Sequence, residues 1–152
     1  NHIDVTENNT TTITRIIKES FPDFNSVIPD KKDKKATISS NELIEAIKRV
    51  SIFSNKTTRQ IVLFFENNEL TISTEDKETR SSAKEHISCE FKGTPTSVAY
   101  NAQYLREVLQ HIDSAEIEGF LGGSLTAAVF QPKKQQEKTK LTALLMPLRT
   151  KD

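Results

Sequence analysis

Two capped amphipathic segments, about sixty residues apart and each trailed by three strand-like runs, restrict this chain to very few architectures. The first opens with Ser39-Ser40-Asn41-Glu42, a capping box with Ser39 as N-cap and Glu42 at the third helical position. Leu43, Ala46, Ile47 and Val50 then fall on one face, Glu45, Lys48 and Arg49 lie away from it, and the helix ends near Ser51. The second opens at Asn101, a good N-cap, and places Leu105, Val108, Leu109 and Ile112 at helical spacing opposite Gln103, Arg106, Glu107 and Gln110. A short strand precedes each helix, at 36–38 and 96–100. Strand-like runs at 60–66, 69–74 and 84–91 follow the first, and runs at 115–121, 125–130 and 139–145 follow the second. Asn67-Asn68 and Gly122-Gly123 read as turns, and 132–138 as a long loop. Ile87, Cys89 and Phe91 alternate with His86, Ser88 and Glu90, so one face of that strand is buried. The chain is thus a duplicated β-α-β-β-β unit. Its fold class is α+β, with both helices side by side on one face of mainly antiparallel sheets.

Ahead of the repeat, Ile3-Asp4-Val5 and residues 10–17 read as two strands joined by a Glu7-Asn8-Asn9 turn. An isolated hairpin is marginal in water, so this one is expected to belong to a domain whose remainder lies elsewhere. The stretch Phe21-Pro22-Asp23-Phe24-Asn25-Ser26-Val27-Ile28-Pro29 fits neither helical nor strand periodicity. Its two prolines each lack an N–H and restrict the preceding residue, which predicts an ordered apolar connector. A charged run, Asp30 to Lys35, reads as a solvated linker. With no Met at its start, the sequence reads most simply as an excised fragment.

Composition narrows the function. Apolar residues are 35% and Trp is absent, so Ile, Leu, Val and eight Phe must form the core, with apolar surface left for a partner. Formal net charge is zero, so nucleic-acid binding would rest on local charge. A lone Cys89 excludes an internal disulfide and fits a reducing compartment, and no run reaches transmembrane length; a cytoplasmic protein without membrane contact is expected. The sequence holds no glycine-rich phosphate loop, metal-ligand spacing or nucleophile motif, and His2, His86 and His111 are scattered. No catalytic residue, metal or cofactor is expected, which disfavours a small hydrolase or transferase.

Three segments resemble the bacterial DNA polymerase III β subunit, the ring-shaped sliding clamp. They are Phe21-Pro22-Asp23-Phe24 through Val27-Ile28-Pro29, then Tyr100-Asn101-Ala102-Gln103-Tyr104-Leu105, and the end Met146-Pro147-Leu148-Arg149. The Phe53-Ser54-Asn55 corner and the Lys92-Gly93 turn also fit, in the family's order, over roughly residues 10–150. The resemblance implies that 1–29 is the end of the clamp's middle domain with its connector, 30–35 a linker, and 36–150 the carboxyl-terminal domain. It further implies a non-catalytic processivity factor that encircles duplex DNA as a head-to-tail homodimer. Polymerase, clamp-loader subunits and repair polymerases would dock through linear peptides, of the QLxLF type, in a pocket between the middle and third domains.

Carried over by position, that pocket would include Pro22, Val27, Asn101, Tyr104, Thr126, Met146, Pro147, Leu148 and Arg149. The chain departs from well-known members at Ser26, where they carry Arg, and at Thr58, where they carry an aromatic. Read without the resemblance, Met146 to Arg149 is a last strand running off the domain, and Asn101 is first a helix cap, which can also serve as a ligand contact. Lys48, Arg49, Arg106 and His111 are candidates for facing DNA or for a solvated face diluted by Glu42, Glu45 and Glu107. Ile52 and Phe53 fit either core or, aligned on the family, the subunit interface. A stand-alone interaction module with this duplicated fold and no DNA role is the alternative.

Overall fold

The computed structural model describes residues 2–21, 23–29, 33–123 and 125–149. β1 (His2–Glu7) and β2 (Thr10–Arg15) form an antiparallel hairpin with His2 opposite Arg15 and Glu7 opposite Thr10. Asn8 turns it at φ 53°, a left-handed conformation that Asn tolerates better than most residues. Every residue of both strands is exposed, Ile13 and Val5 included. In the connector, Asp23 caps a single 3-10 turn, Phe24–Val27. Its carboxylate accepts from the Asn25 amide at 3.1 Å, and Ser26 Oγ donates to its carbonyl at 2.7 Å. Phe21 meets Phe24 edge to face at 6.3 Å. The connector is therefore ordered, as expected, yet its aromatics stand in solvent. Pro22 and linker residues 30–32 lie outside the described residues.

The first unit comprises β3 (Lys35–Ser39), α1 (Ser40–Ser51), β4 (Gln60–Glu66), β5 (Glu69–Asp76), β6 (Ser81–Ser88) and β7 (Glu90–Lys92). The second comprises β8 (Thr96–Asn101), α2 (Ala102–Gln110), β9 (Glu116–Phe120), β10 (Ala128–Pro132) and β11 (Ala143–Leu145). The units exchange their first strands. β8 completes the sheet β6-β5-β4-β8, and β3 joins the sheet β11-β10-β9-β3-β7. The two exchanged pairings are both antiparallel, Ala36 opposite Gly119 in one and Val62 opposite Ala99 in the other. α1 and α2 pack against each other, and their apolar stripes enter one core. Leu43, Ala46, Ile47 and Val50 from α1 meet Leu105, Leu109 and Ile112 from the second helical segment there, with Phe65, Leu70, Ile72 and Ile117 from the sheets. Both caps form as the sequence predicts: Ser39 Oγ accepts from the Glu42 amide at 3.5 Å, and Asn101 Oδ1 from Gln103 and Tyr104 at 2.9 and 3.3 Å.

Three strand expectations need correction. The run expected at 84–91 is two strands in different sheets. β6 begins at Ser81 and pairs with β5 until that partner ends, Ser88 opposite Glu69. Beyond it the chain is held by the Asn67-Asn68 turn, through Cys89 N–H to the Asn68 carbonyl at 2.9 Å and Phe91 N–H to the Asn68 side chain at 2.9 Å. β7 then pairs with β3. The alternation survives the crossing, since Ile87 and Phe91 are half-buried and Cys89 is buried. The strand expected at 125–130 spans Ala128–Pro132, because a tight turn occupies the preceding residues. A Cβ on Gly122 would lie 2.5 Å from Thr126 Cβ, and Leu125 is exposed. Pro132 thus ends a strand rather than opening the loop, a position where its missing N–H is tolerated. The strand expected at 139–145 shrinks to Ala143–Leu145. Gln135 takes both main-chain groups of Leu141 with its amide, at 2.9 and 3.0 Å, so the hydrogen bonds a longer strand would make are already used.

Candidate functional site

α2 and its cap position the centre of the candidate pocket. Asn101 satisfies two amides of the first helical turn and donates from Nδ2 to the Thr58 carbonyl at 3.2 Å, while Ala102 N–H reaches the Arg59 carbonyl at 2.8 Å. The second helix is thereby bolted to the 55–59 loop of the first unit. Tyr104, one turn in, points off the buried stripe and is 58% exposed, so core packing does not account for it. The carboxyl end runs past β11 and crosses to the other sheet, where Leu148 N–H donates to the Ala99 carbonyl of β8 at 2.8 Å. That bond brings Pro147 and Leu148, both half-buried, alongside the strand that ends in Asn101. Met146 remains 61% exposed, and Arg149 is exposed. Thr126 sits with Pro29, Lys34, Leu121 and Gly122 around an open cavity of about 460 Å³ beside the connector. Val27 is exposed on the 3-10 turn, and Pro22 falls outside the described residues. Asn101, Tyr104 and Leu148 are thus drawn to one region and Thr126 to the connector side.

The four residues expected to face DNA, Lys48, Arg49, Arg106 and His111, differ in how free they are. Arg49 is held by Glu85 of β6 in a two-point contact, Nη2 to Oε1 at 2.5 Å and Nε to Oε2 at 3.1 Å. That hydrogen bond raises the affinity of the guanidinium for its proton and holds the Glu85 carboxyl below its ordinary range against the opposing effect of burial. Lys48 lies 3.5 Å from Glu45. His111 bonds through Nδ1 to the Glu107 carbonyl at 2.7 Å. Arg106, half-buried on α2, instead joins Lys56 and Arg59 at the rim of a concavity of about 480 Å³. Lys56 and Arg59 were not legible as site residues, since they read as a polar loop. No sequence signal marks Arg59 as holding a positive φ of 49°.

Ile52 and Phe53 emerge from the end of α1 and are 75% and 44% exposed, which decides against core packing. Their corner is braced by a network on buried Asp76. Asp76 accepts from Asn55 Nδ2 at 3.3 Å, Glu78 N–H at 3.1 Å and Thr79 Oγ1 at 2.9 Å, and Ser81 Oγ reaches the Phe53 carbonyl at 3.2 Å. These bonds, Thr79's foremost, hold the Asp76 carboxyl below its usual range although burial opposes them. Asp76 was missed in the sequence because nothing in a β5–β6 turn separates a buried Asp from a solvated one.

No group of three or more His, Cys, Asp or Glu among the described residues is arranged to hold a metal ion. The Cys89 thiol is pushed up to about 11 by burial and by the charge of Glu69, which leaves it protonated rather than nucleophilic at neutral pH. None of the described helices is long and apolar enough to cross a membrane.

A profile of the DNA polymerase III beta subunit, C-terminal domain, matches residues 25–149. The beta sliding clamp of Pseudomonas putida is 28% identical over 148 residues, 97% of this chain and 39% of the relative. That of Treponema pallidum is 32% identical over 107 residues, 68% of this chain and 29% of the relative. Among solved structures, the Pseudomonas aeruginosa DNA polymerase sliding clamp superposes with a TM-score of 0.89 at 28% identity, covering 98% of this chain and 40% of that one. Another structure of that clamp, bound to griselimycin, superposes equally well, at 0.89 and 28%. The chain spans about two fifths of the length of these Pseudomonas clamps. With the match running from the connector to the end of the second unit, the chain belongs to the family of carboxyl-terminal domains of the DNA polymerase III beta subunit.

Proposed function

We propose that this chain is the closing part of a sliding clamp, the processivity factor that tethers a bacterial replicative polymerase to duplex DNA. Residues 1–29 would be the end of the middle domain and its connector, 30–35 a linker whose last residue, Lys35, already belongs to β3, and 36–150 the third domain. The single observation that carries this reading is the match over both exchanged units, at 28% identity and a TM-score of 0.89 to a solved clamp. The fully exposed β1–β2 hairpin, with Ile3, Val5 and Ile13 in solvent, supports it, because those side chains suit burial against the rest of a middle domain.

On this reading the protein acts by topology and carries no reaction. The longer protein closes as a head-to-tail homodimer around DNA in the cytoplasm, with Ile52 and Phe53 on the subunit boundary and Lys48, Arg49, Arg106 and His111 toward the duplex. Polymerase, clamp-loader subunits and repair polymerases dock linear peptides against Pro22, Val27, Asn101, Tyr104, Thr126 and the Met146 to Arg149 tail. The griselimycin complex of the Pseudomonas aeruginosa clamp agrees with a ligand-binding surface in this family. The test uses the longer protein loaded onto nicked circular DNA. It should stay bound in high salt while the circle is intact and leave once the circle is linearised. Equal loss from circular and linear DNA would refute encirclement.

A further inference from the structure

The cavity beside the connector extends past the residues expected to hold a docked peptide. Three segments frame it: Pro29, Asp33 and Lys34 from the chain entering β3, Leu121, Gly122 and Gly123 from the end of β9, and Thr126 ahead of β10. Its surface is mainly apolar, and its two charged residues, one acid and one base, balance each other. It is continuous with the peptide pocket. β10 and β11 pair with Ala128 opposite Leu145, so the next step of the ladder sets Ala127 beside Met146. Thr126, the neighbour of Ala127, is therefore shared by the pocket and the cavity wall.

The cavity is also preformed. Leu121 N–H donates to the Lys34 carbonyl at 2.9 Å, and Thr126 N–H to the Gly123 carbonyl at 3.2 Å. Gly122 admits no side chain, because its Cβ would lie 2.5 Å from Thr126 Cβ. Gly93, at φ 138°, lets the β7–β8 corner lie against Lys34; a Cβ there would meet Lys34 Cγ at 3.0 Å and Lys34 Cα at 3.1 Å. A site whose backbone is already fixed loses less of its interaction to ordering. At about 460 Å³ the cavity falls in the size range of ligand clefts. An extended chain advances about 3.3 Å per residue, so a peptide lying over Thr126 brings its next one or two residues above the cavity. We propose that this cavity is an accessory subsite for one apolar side chain outside the core motif of a docked linear peptide, on the flank nearer the connector. The proposal rests on the peptide-pocket reading above and adds a preference that reading lacks. The balanced pair Asp33 and Lys34 gives no selection by charge, and the apolar surface favours Leu, Ile, Met or Phe over Ser or Asp.

The test is calorimetric titration of the longer protein with a QLxLF-type pentapeptide carrying Ser at x, and with the same peptide extended by Gly-Leu or Gly-Ser at each end in turn. Gly-Leu should tighten binding about five- to tenfold at one end and not at the other, the gain from burying one Leu side chain less the ordering of the added residues. Gly-Ser should give no gain. Gly123→Leu plugs the cavity. No described atom lies within 4 Å of a Cβ at Gly123, and its φ is not left-handed, so the variant should fold and melt with the wild type. It should abolish the gain and leave pentapeptide affinity unchanged. In the wild type, the methyl groups of the added Leu should show NOEs to Thr126 and Pro29, a readout that needs no variant. Missing NOEs, a gain that survives Gly123→Leu, equal gains from Gly-Leu and Gly-Ser, equal gains at both ends, or no gain at either would each overturn the subsite while leaving the peptide pocket intact. Loss of binding by the pentapeptide and the extended peptides alike would instead overturn the pocket itself, and the subsite with it.

Discussion

Asn101 offers a test in which the cap and the pocket can be pulled apart. Its Oδ1 accepts from Gln103 and Tyr104, and its Nδ2 holds the Thr58 carbonyl. Asn101→Ala removes all three bonds. Losing the cap costs about 1 kcal/mol. Losing the bond to Thr58 costs about another 0.5–1.5 kcal/mol, toward the lower end here because Thr58 is exposed and water can take over its carbonyl. The sum, about 1.5–2.5 kcal/mol, corresponds to a fall in Tm of about 3–10 °C for a domain of this size. Asn101→Asp keeps the acceptor, gains about 0.3–1 kcal/mol from a negative charge at the helix start and forfeits only the Thr58 bond, so it should melt near the wild type. Urea denaturation followed by circular dichroism measures both, and an unchanged m with a shifted midpoint certifies that stability alone has moved. If Asn101→Asp is as unstable as Asn101→Ala, the residue does not act as a cap. If Asn101→Ala melts with the wild type, both bonds are energetically idle and the bolt between α2 and the 55–59 loop does not exist. Asn101→Asp then serves the pocket question: a stable variant that loses peptide affinity identifies Asn101 as a ligand contact in addition to a cap.

Further outcomes follow from single residues. Tyr100 is 1% exposed, packs edge to face on Phe130 at 6.4 Å and has a hydroxyl with no hydrogen-bond partner among the described residues. Burial therefore pushes its pKa up, and Tyr100→Phe should be neutral or stabilising by up to about 1 kcal/mol in urea melts, since an unsatisfied buried polar group is costly; clear destabilisation would mean the hydroxyl is satisfied. Asp76 has a folded-state pKa below its ordinary value, so its contribution is fully present above the ordinary carboxylate range and fades as pH falls through the depressed pKa. Melts of Asp76→Asn should thus converge on those of the wild type in acid and fall below them at neutral pH, and parallel curves would rule out the proposed network. Tyr104→Ala, in the longer protein, should weaken a QLxLF-type peptide by more than about tenfold, about 1.4 kcal/mol, without lowering Tm, because the ring is exposed; an unchanged titration would remove Tyr104 from the pocket.

Sequence periodicity carried furthest where a segment's environment is set by its own neighbours. Ser39 and Asn101 marked both helix starts, and the stripes from Leu43 to Val50 and from Leu105 to Ile112 marked their buried faces, because a cap and an amphipathic face are local properties. Asn67-Asn68 turned the β4–β5 hairpin with φ of 51° and 62°, as a tight two-residue turn requires. What failed depended on partners distant in sequence. β6 stops because β5 runs out, β10 starts late because Thr126 crowds Gly122, and β11 is short because Gln135 occupies Leu141. The same reason hid the bond from Asn55 to Asp76 and the bond from Ala102 to the Arg59 carbonyl, which join separate segments.

The exchange of first strands explains why the candidate surfaces sit where they do. With β3 paired to β9 and β8 to β4, neither unit has a complete sheet without the other, so the duplicated pattern specifies one cooperative body rather than two beads. Each crossing strand delivers the N-cap of its helix to the partner unit's side of the core: Ser40 N–H reaches the Ala115 carbonyl, and Ala102 N–H the Arg59 carbonyl, both near 2.8–2.9 Å. The two junctions are equivalent by duplication but differ in what lines them. At the Ala115 junction the following turn holds Asp113, Ser114 and Glu116, while at the Arg59 junction it holds Lys56, Thr57, Thr58 and Arg59. The Arg59 junction therefore carries two cations, Lys56 and Arg59, where the Ala115 junction carries two acids, Asp113 and Glu116. The scaffold constrains the backbone there through Asn101 and Ala102 and leaves the side chains free to be chosen for a ligand.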